Sequence, residues 1–474
     1  MSRDPDSRQS MRAFLATLER AGELLTVSEP VACEFGIGAC LAEVDNGPAL
    51  YFARPEGPSK SGMPLVGNLL NSLPRFAAGL TTSVENLQAQ VVAAIESPRP
   101  HQEISSAPCQ EVVVDQPTLA EELPIPRFFE AEKGAYITAG VIVARDWKTG
   151  QTNLSIARLM PVGGNRAFVG IAPNHHLAIL SRATHARGEG LDVAVCIGNH
   201  PAVMVASCLY LGLGDDELPI AGALLGEPLE VARTARGDLM VPAHCECVLE
   251  GTLDAGEPFM EGPVSEFHGM YENYGAGVVA TFARLTRRRD AIFQVILPGY
   301  HAEHCLLGGV AIAAGLFRAV RPAVASLREV AVGMGGAGRL HAVVSLSAPR
   351  PGEARKAMFA VWAAVNLIKQ VVVVDDDIDP WDSIHVEWAI ATRAKPERDF
   401  IIIPEVKADR SEPLEKDGVV TKLGIDAVRR PGDREWTLAR PPEAMRRQAR
   451  DLLQRSRASA EASRTCSIST DGDK

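Results

Sequence analysis

The sequence lacks the positive charge and the apolar runs that direct a protein to nucleic acid or into a membrane. Its 48 Lys and Arg residues are outnumbered by 59 Asp and Glu residues, so the formal net charge is −11. A surface of this sign repels nucleic-acid phosphates and anionic lipid. No uninterrupted apolar segment approaches the ~18 residues of a membrane-spanning helix. We therefore expect neither nucleic acid nor a membrane among its partners.

Paired cysteines and a secretory signal are also missing from the sequence. The nine cysteines are odd in number, scattered along the chain and without a Cys-x-x-Cys motif. This pattern favours reduced thiols over a disulfide framework. Charged residues run through the first twenty positions, which contain no apolar core of a signal peptide. We therefore expect a cytoplasmic protein.

Length and composition predict a globular protein of several domains. The chain has 474 residues, of which 46% are hydrophobic and 23% charged, and a domain averages roughly 150 residues. Helix and strand patterns predict an N-terminal α/β domain over residues 1–110. Short strands separated by turns predict a β-rich barrel or sandwich over 111–300, and helices alternating with strands predict a C-terminal α/β domain over 301–440. Residues 441–474 are predicted to form a basic helix followed by a disordered tail.

A glycine-rich segment at 333–338 matches the GxGxxG pattern of dinucleotide-binding sites. That pattern binds a pyrophosphate only where it leaves a strand and opens a helix. Here it is followed by RLHAVVSL, which has the β-branched composition of a strand. We therefore predict two strands joined by a glycine loop, and no dinucleotide site.

Two further clusters have ordinary structural explanations. Acidic residues before a proline are typical of turns as well as of Mg²⁺ sites. Such a cluster follows a run of valines and consists of Asp375, Asp376, Asp377 and Asp379. His301 and His304 are spaced closely enough to share a metal, but no third ligand is evident nearby. We interpret the aspartates as turn residues and the histidines as pocket or core residues.

Four separated segments carry residue types that can do chemistry. NLSIAR (153–158) alternates after a turn, which predicts a strand with Asn153 and Ser155 on one face and Arg158 on the other. The others are NHH (174–176), a glutamate at 217 and MEGPVSEFHG (260–269). Taken singly, these residues have ordinary explanations. Arg158 fits a surface ion pair, Asn153 a turn, His176 a core histidine, and the two glutamates of 260–269 a solvated loop. Together they offer ligands for Mn²⁺ or Mg²⁺ and a guanidinium with two carboxylates.

At these residues the chain resembles the UbiD family of decarboxylases, which use prenylated flavin mononucleotide (prenylated FMN). The resemblance runs from the first helix to about Arg430, and its motifs occur in the family's order: YITAGVIVARD, NLSIAR, VPAHCECVLEG, MEGPVSEFHG, VVVVDDDIDPWD, WAIATR and TKLGIDA. NLSIAR is most similar to the ferulic acid decarboxylase branch. The resemblance implies an N-terminal α/β domain, a central split β-barrel resembling flavin reductases, and a C-terminal α/β oligomerisation domain that forms a homodimer or larger homo-oligomer.

The resemblance also implies which residues hold the cofactor. The implied metal ligands, which bind the cofactor phosphate through Mn²⁺ or Mg²⁺ with K⁺ alongside, are Asn153, His176 and Glu217. The implied cofactor contacts are Ser155, Ile156, Ala157, Arg158 and the phosphate-side Lys422. His175 stands where the ferulic branch has glutamine, so hydrogen bonding to the flavin edge differs there. A flavin prenyltransferase is the implied supplier of the cofactor.

The implied catalytic residues are Arg158, Glu261 and Glu266. Loss of CO₂ from an sp² carbon leaves an electron pair that no ordinary side chain accepts, so a cofactor must take it. Arg158 is expected to orient the substrate carboxylate by paired hydrogen bonds. Glu266 is expected to return the proton as a neutral acid, with Glu261 as the ionised partner of the arginine.

The resemblance thus implies a reversible, non-oxidative decarboxylase of an α,β-unsaturated or aromatic carboxylic acid. The alternatives are an FMN-dependent oxidoreductase and a non-catalytic flavin-binding subunit, and the intact catalytic residues argue against both. The sequence leaves the acid itself open, because single pocket substitutions shift selectivity by a few kcal/mol at most. The candidate pocket residues are Tyr271, Tyr274, His301, His304 and Leu306.

Overall fold

The computed structural model describes residues 7–256, 258–430, 432 and 439–468. The chain divides into two units, the first ending at Val428 and the second beginning at Arg429. The first unit opens with an α/β domain whose sheet has the order β1-β2-β3-β18, the last strand coming from later in the chain. Its elements are α1 (Met11–Arg20), β1 (Leu24–Ala32), α2 (Gly36–Glu43), β2 (Ala49–Glu56), β3 (Leu65–Gly67), α3 (Leu73–Gly79) and α4 (Val84–Glu96).

The middle of the first unit is rich in short strands, as the turn pattern predicts. Its elements are β4 (Gln102–Glu103), a 3-10 turn (Pro108–Gln110), β5 (Val112–Asp115), α5 (Leu119–Glu122), β6 (Val141–Arg145), β7 (Thr152–Ile156), β8 (Arg158–Gly163), β9 (Arg166–Gly170), α6 (His176–His185), β10 (Leu191–Ile197), α7 (Pro201–Ala206), α8 (Glu217–Leu225), β11 (Glu230–Arg233), β12 (Met240–Pro242), β13 (Cys247–Leu253), β14 (Phe259–Met260), β15 (Val264–Ser265), β16 (Tyr271–Glu272), β17 (Ala276–Arg287) and β18 (Phe293–Gln294).

The central sheet curls so that its two end strands are consecutive in the chain. Its order is β7-β6-β10-β13-β17-β9-β8, and β5 and β14 also pair with β17. Only Ala157 separates the end strands β7 and β8. The single strand predicted for NLSIAR is therefore wrong, because the chain passes from one end of the curled sheet to the other at this residue. We call this position the barrel seam.

Both faces of the curled sheet are buried. Ile142, Val195 and Leu249 pack in one core, whereas the alternate residues Val143 and Cys196 pack in a second core with helices α1, α7 and α8. Strands that are covered on both faces have nearly continuous apolar sequences. This explains why the strand VIVAR shows no polar alternation. The eight cysteines whose side chains are described are all free thiols.

The third part of the first unit is an α/β domain with the sheet order β19-β20-β21-β23-β22. The glycine segment 333–338 joins β19 to β20, which pair antiparallel, so the predicted strand–loop–strand is confirmed. Asp375 and Asp377 accept hydrogen bonds from Arg393, as structural turn residues do. The elements are α9 (Ala302–Val320), β19 (Leu327–Ala331), a 3-10 turn (Met334–Gly336), β20 (His341–Leu346), α10 (Glu353–Ala364), β21 (Gln370–Asp375), α11 (Ser383–Arg393), α12 (Pro396–Asp399), β22 (Phe400–Lys407) and β23 (Val419–Asp426).

Helix α9 is long and apolar enough to cross a membrane when judged by length and composition alone. However, 72% of its most apolar 18-residue window is buried within the protein. The helix packs against α4, α7 and α10. This degree of burial is typical of the core helix of a domain.

The second unit contains helix α13 (Glu443–Ile468). The predicted basic helix is present, but the disordered tail predicted after it is wrong as far as Ile468. The segment that continues the helix contains alanine and glutamate, which have high helix propensity. The remaining residues of the predicted tail, 469–474, lie outside the described residues.

A buried ion pair ties the first helix to the central sheet. Arg12 donates from Nε and Nη2 to the two carboxylate oxygens of Glu246 at 2.8 and 2.9 Å. It also donates to Asp290 from Nη1 at 2.8 Å. The Glu246 side chain is fully buried, and burial raises the pKa of its carboxyl although Arg12 opposes that rise. Arg12 is therefore the group that compensates a carboxylate removed from water.

Replacing Arg12 with methionine should cost about 3–5 kcal/mol in the free energy of unfolding, because it leaves the Glu246 carboxylate buried without a cation. Urea denaturation followed by circular dichroism measures the loss. Arg233→Met is the matched control, since Arg233 pairs with Glu103 where both side chains are more than 40% exposed, and it should cost less than about 1 kcal/mol. Equal losses in the two variants would contradict the importance of the buried pair.

Candidate active site

The barrel seam brings the two end strands together within a short segment. β7 ends with Ser155 and Ile156, both half-buried, and β8 begins at Arg158. Ala157 between them is buried. A small side chain suits this position, because the chain turns from one strand into the other there. Residues on the two sides of the seam contact different groups of polar side chains.

One side of the seam carries a guanidinium between two carboxylates. Arg158 donates from Nε to Oε1 of Glu261 at 2.6 Å and from Nη2 to Oε2 at 2.7 Å. Its Nη1 lies 3.6 Å from Oε1 of Glu266. The Glu261 side chain is 1% exposed, whereas that of Glu266 is 15% and that of Arg158 is 21% exposed. The structure therefore brings the three predicted catalytic residues together, with Glu261 fully paired and Glu266 held more loosely.

This arrangement fixes both the charge and the orientation of the guanidinium. Burial lowers the pKa of Arg158, but the hydrogen bond and charge of Glu261 and the charge of Glu266 outweigh it, so the pKa lies above its ordinary value. A two-point pair between arginine and a carboxylate is planar and directional. Glu261 occupies the Nε edge, which leaves the edge formed by Nη1 and Nη2 for another anion.

Two tyrosines border the catalytic residues. Tyr136 is buried, and both its burial and the charge of Glu261 raise the pKa of its hydroxyl. The ring of Tyr274 lies with its centroid 5.5 Å from Cζ of Arg158, and burial and the charge of Glu266 raise its pKa. Both hydroxyls are therefore protonated at neutral pH. The motif YITAGVIVARD contains Tyr136, but nothing in the sequence linked that residue to the arginine.

The other side of the seam carries a buried carboxylate and an amide. Asn153 donates from Nδ2 to Oε1 of Glu217 at 3.2 Å, and the Leu154 amide donates to Oε2 at 2.9 Å. Ser155 donates from Oγ to the Asn153 side-chain oxygen at 3.1 Å. Burial raises the pKa of Glu217 to about 8. Within the described residues its carboxylate has no cationic partner, so a bound cation would favour its ionised form.

The third predicted metal ligand begins a neighbouring helix. His176 is the first residue of α6, which packs against β7. Burial lowers the pKa of His176, whereas the charge of Asp215, two residues before Glu217, raises it. In the described part of the chain, no group of three or more His, Cys, Asp and Glu side chains could hold a metal by itself. The structure thus places Asn153 and Glu217 in direct contact. His176 lies on the helix that packs against the strand containing Asn153.

His175 and Lys422 complete the predicted cofactor contacts. Burial lowers the pKa of His175, the charge of Asp409 opposes that lowering, and the charge of Arg410 adds to it. The structure does not bring Lys422 to this group. Its side chain is buried in the C-terminal sheet, where Nζ donates to the main-chain oxygens of Asn366 and Ile368 at 2.5 and 2.7 Å. These structural partners do not fit the phosphate-side position that the resemblance implies.

The remaining predicted pocket residues have different surroundings. His304 has a pKa lowered to about 3, mainly by burial, so it is neutral at physiological pH. The ring of His301 stacks on Phe129 with centroids 6.2 Å apart. Tyr271 is exposed at the surface. Leu306 packs in a hydrophobic core and is the least suited of these residues to contact a substrate.

Family models match nearly the whole first unit. Those of 3-octaprenyl-4-hydroxybenzoate carboxy-lyase (UbiD) cover residues 15–95 with its N-terminal domain, 102–301 with its Rift-related domain and 305–427 with its C-terminal domain. The anhydromevalonate phosphate decarboxylase of Methanothermobacter thermautotrophicus is 34% identical over 419 residues, 88% of this chain and 96% of the relative. The phenolic acid decarboxylase of Bacillus subtilis is 30% identical over 437 residues, 89% and 92% of the two chains.

Solved structures agree with these matches. The UbiD-class enzyme HmfF from Pelotomaculum thermopropionicum, in complex with FMN, has a TM-score of 0.87 and 37% identity over 91% of this chain and 97% of that one. An evolved dimeric form of HmfF in complex with prFMN has a TM-score of 0.84 and 35% identity over the same shares. The family inferred from the motifs and the three-domain fold are confirmed. This chain belongs to the UbiD family of carboxy-lyases.

Proposed function

We propose that this protein is a reversible, non-oxidative decarboxylase of an α,β-unsaturated or aromatic carboxylic acid, with prenylated FMN as its cofactor. The observation that carries the proposal is the Arg158 guanidinium, which Glu261 holds along one edge while Glu266 lies 3.6 Å from Nη1. A hydride-transferring flavoprotein has no general need for such a carboxylate-binding group. One relative's structure contains prFMN, and another relative is named a phenolic acid decarboxylase.

The residues at the seam fit a cofactor phosphate held through a metal. Glu217 is a buried carboxylate that accepts from an amide and a main-chain N–H, and oxygen donors of this kind suit Mn²⁺ or Mg²⁺. We assign Asn153, His176 and Glu217 as its ligands, with K⁺ alongside, and residues 155–157 as flavin contacts. When bound, the modified flavin supplies the electron sink that side chains lack.

Arg158 orients the scissile bond. Because Glu261 occupies Nε and one side of Nη2, the substrate carboxylate accepts two parallel hydrogen bonds from Nη1 and Nη2. The guanidinium cannot rotate without breaking its pair with Glu261. The carboxylate is therefore held in one orientation, and the bond to the carbon that will lose CO₂ is aligned before the reaction.

Glu266 donates a proton in the decarboxylation direction and accepts one in the reverse direction. When CO₂ leaves, an electron pair remains on the carbon that carried it, and the Glu266 carboxyl gives its proton to that carbon. Its side chain is 15% exposed, so water can restore the proton afterwards. In the carboxylation direction the same carboxylate accepts the proton as CO₂ adds. Glu261 takes no part in this transfer, because both of its oxygens are occupied by the arginine.

The function is tested with protein produced together with a flavin prenyltransferase. We expect CO₂ release from members of a panel of unsaturated and aromatic acids, the mass of prenylated FMN for the released cofactor, and a divalent metal by elemental analysis. NAD(P)H oxidation is measured in parallel. Oxidation without CO₂ release would indicate the oxidoreductase alternative, and neither activity would indicate a non-catalytic flavin-binding subunit.

Glu266→Gln should reduce kcat to below about a tenth of the wild-type value, because glutamine keeps the size of the side chain but cannot carry the proton. Flavin absorbance of the purified variant should be unchanged. Glu272→Gln is the control: this half-buried carboxylate lies near His268 rather than Arg158. It should keep kcat within about twofold of wild type. A variant lacking the Glu266 carboxyl that retains more than about a tenth of the rate would reject the proton-transfer role.

Gly170→Ala should disturb the arginine without changing its charge. Gly170 pairs in register with Arg158, and an added Cβ would lie 2.8 Å from Cζ and 2.9 Å from Nε of Arg158. The guanidinium must move, so we expect kcat/KM to fall about 10- to 100-fold with the flavin retained. Gly256→Ala, where an added Cβ meets no atom within 4 Å, should have no effect. Normal kinetics in Gly170→Ala would show that the orientation of Arg158 does not limit the reaction.

A further inference from the structure

A second guanidinium lies over the residue that follows Glu266 and has no acidic partner among the described residues. Arg339 is half-buried between the glycine loop and β20, with Cζ 5.0 Å from the ring centroid of Phe267, the residue that follows Glu266. Its Nη1 donates to the main-chain oxygen of His304 at 3.5 Å. Throughout the described ranges, no carboxylate lies within ion-pair distance of Arg339. Other half-buried arginines, such as Arg127, Arg158 and Arg284, are instead paired with carboxylates.

The Arg339 guanidinium packs closely against a glycine of helix α9. Gly308 of α9 faces it, and a Cβ at that position would lie 2.6 Å from Cζ, Nη1 and Nη2 of Arg339. Phe267 is buried in the hydrophobic core, so the ring beneath the guanidinium is fixed. An arginine held on an aromatic face is already ordered, and it loses little side-chain freedom when it binds an anion. Arg339 is thus a positioned cation without a counter-charge.

Arg158 and Arg339 both lie near the segment that contains Glu266. After burial, which has the largest effect, both arginines lower the pKa of His304. Arg158 lies 3.6 Å from the Glu266 carboxylate, and Arg339 lies over the ring of Phe267, the next residue. An anion beside that segment is attracted by both.

We propose that Arg339 binds a second anionic group of the substrate, so that the preferred acid is a dianion with its reacting carboxylate at Arg158. This inference rests on the proposed decarboxylase function. The second group is a carboxylate or a phosphate, since a guanidinium binds either through paired hydrogen bonds. Two charged anchors would also fix the substrate along its length, which places the reacting carbon more accurately than one anchor does.

The test uses the flavin-loaded protein and two matched pairs of acids. One pair is terephthalate and its monomethyl ester, and the other is 4-phosphonooxybenzoate and 4-methoxybenzoate. Titration calorimetry gives Kd and CO₂ release gives kcat/KM. We expect the dianion of at least one pair to bind about 10- to 100-fold more tightly than its mono-anionic partner. The pair that shows this preference distinguishes a carboxylate subsite from a phosphate subsite.

Arg339→Met keeps the apolar stem and removes the charge, so it should reduce the dianion preference to about twofold or less while leaving Kd for the mono-anions and the flavin content unchanged. Gly308→Ala should weaken the preference by moving the guanidinium, and it provides the measurement if Arg339→Met does not fold. Arg187→Met is the control, because Arg187 stacks 3.9 Å over Trp147 but pairs with Glu189. It should leave the preference intact.

Three results would overturn the subsite: no dianion preference in the wild type, an unchanged preference in Arg339→Met, or loss of flavin from that variant, which would assign Arg339 to the cofactor. The mono-anionic acids separate this failure from failure of the proposed function. Release of CO₂ from mono-anionic acids without a dianion preference rejects only the subsite. Absence of CO₂ release from every acid in the panel rejects the decarboxylase itself.

Discussion

The two-point ion pair between Arg158 and Glu261 is the interaction on which the site depends. Its hydrogen bonds of 2.6 and 2.7 Å join a guanidinium to a side chain that is 1% exposed. A carboxylate removed from water is stable only with a partner of opposite charge, so neither group is free to adopt another position. The pair therefore determines which edge of the guanidinium is left for another anion, and Glu266 lies next to that edge. The carboxylate-binding and proton-transfer roles that we propose for Arg158 and Glu266 both depend on this buried contact.

The barrel seam explains how one short segment positions two separate groups of polar side chains. Asn153 lies on one end strand and contacts Glu217, whereas Arg158 lies on the other end strand and contacts Glu261. Only the buried Ala157 separates the two strands. The curled sheet thus holds the two polar groups at a distance set by the backbone. Side chains within six residues can then contact opposite parts of one extended cofactor.

Motifs predicted the family, the three-part architecture and the glycine hairpin at 333–338, and they identified Arg158, Glu261 and Glu266, which the fold brings together. The strand change at Ala157 could not be predicted, since alternation along a strand carries no information about where a sheet curls. The motif that contains Lys422 also gave no information about the contacts of its ammonium group, which donates to main-chain oxygens in the C-terminal domain. Gly170 and Arg339 were missed because their importance depends on cross-strand register and on packing against distant residues. Those relations exist only once the chain is folded.

The most direct measurement is a crystal structure of the flavin-loaded protein with a non-reacting analogue of an accepted acid. We expect the analogue's carboxylate to accept hydrogen bonds from Nη1 and Nη2 of Arg158, Glu266 to face the carbon bearing that carboxylate, and the bound flavin to be prenylated. A carboxylate bound away from Arg158, or an unmodified flavin in protein that releases CO₂, would contradict this expectation.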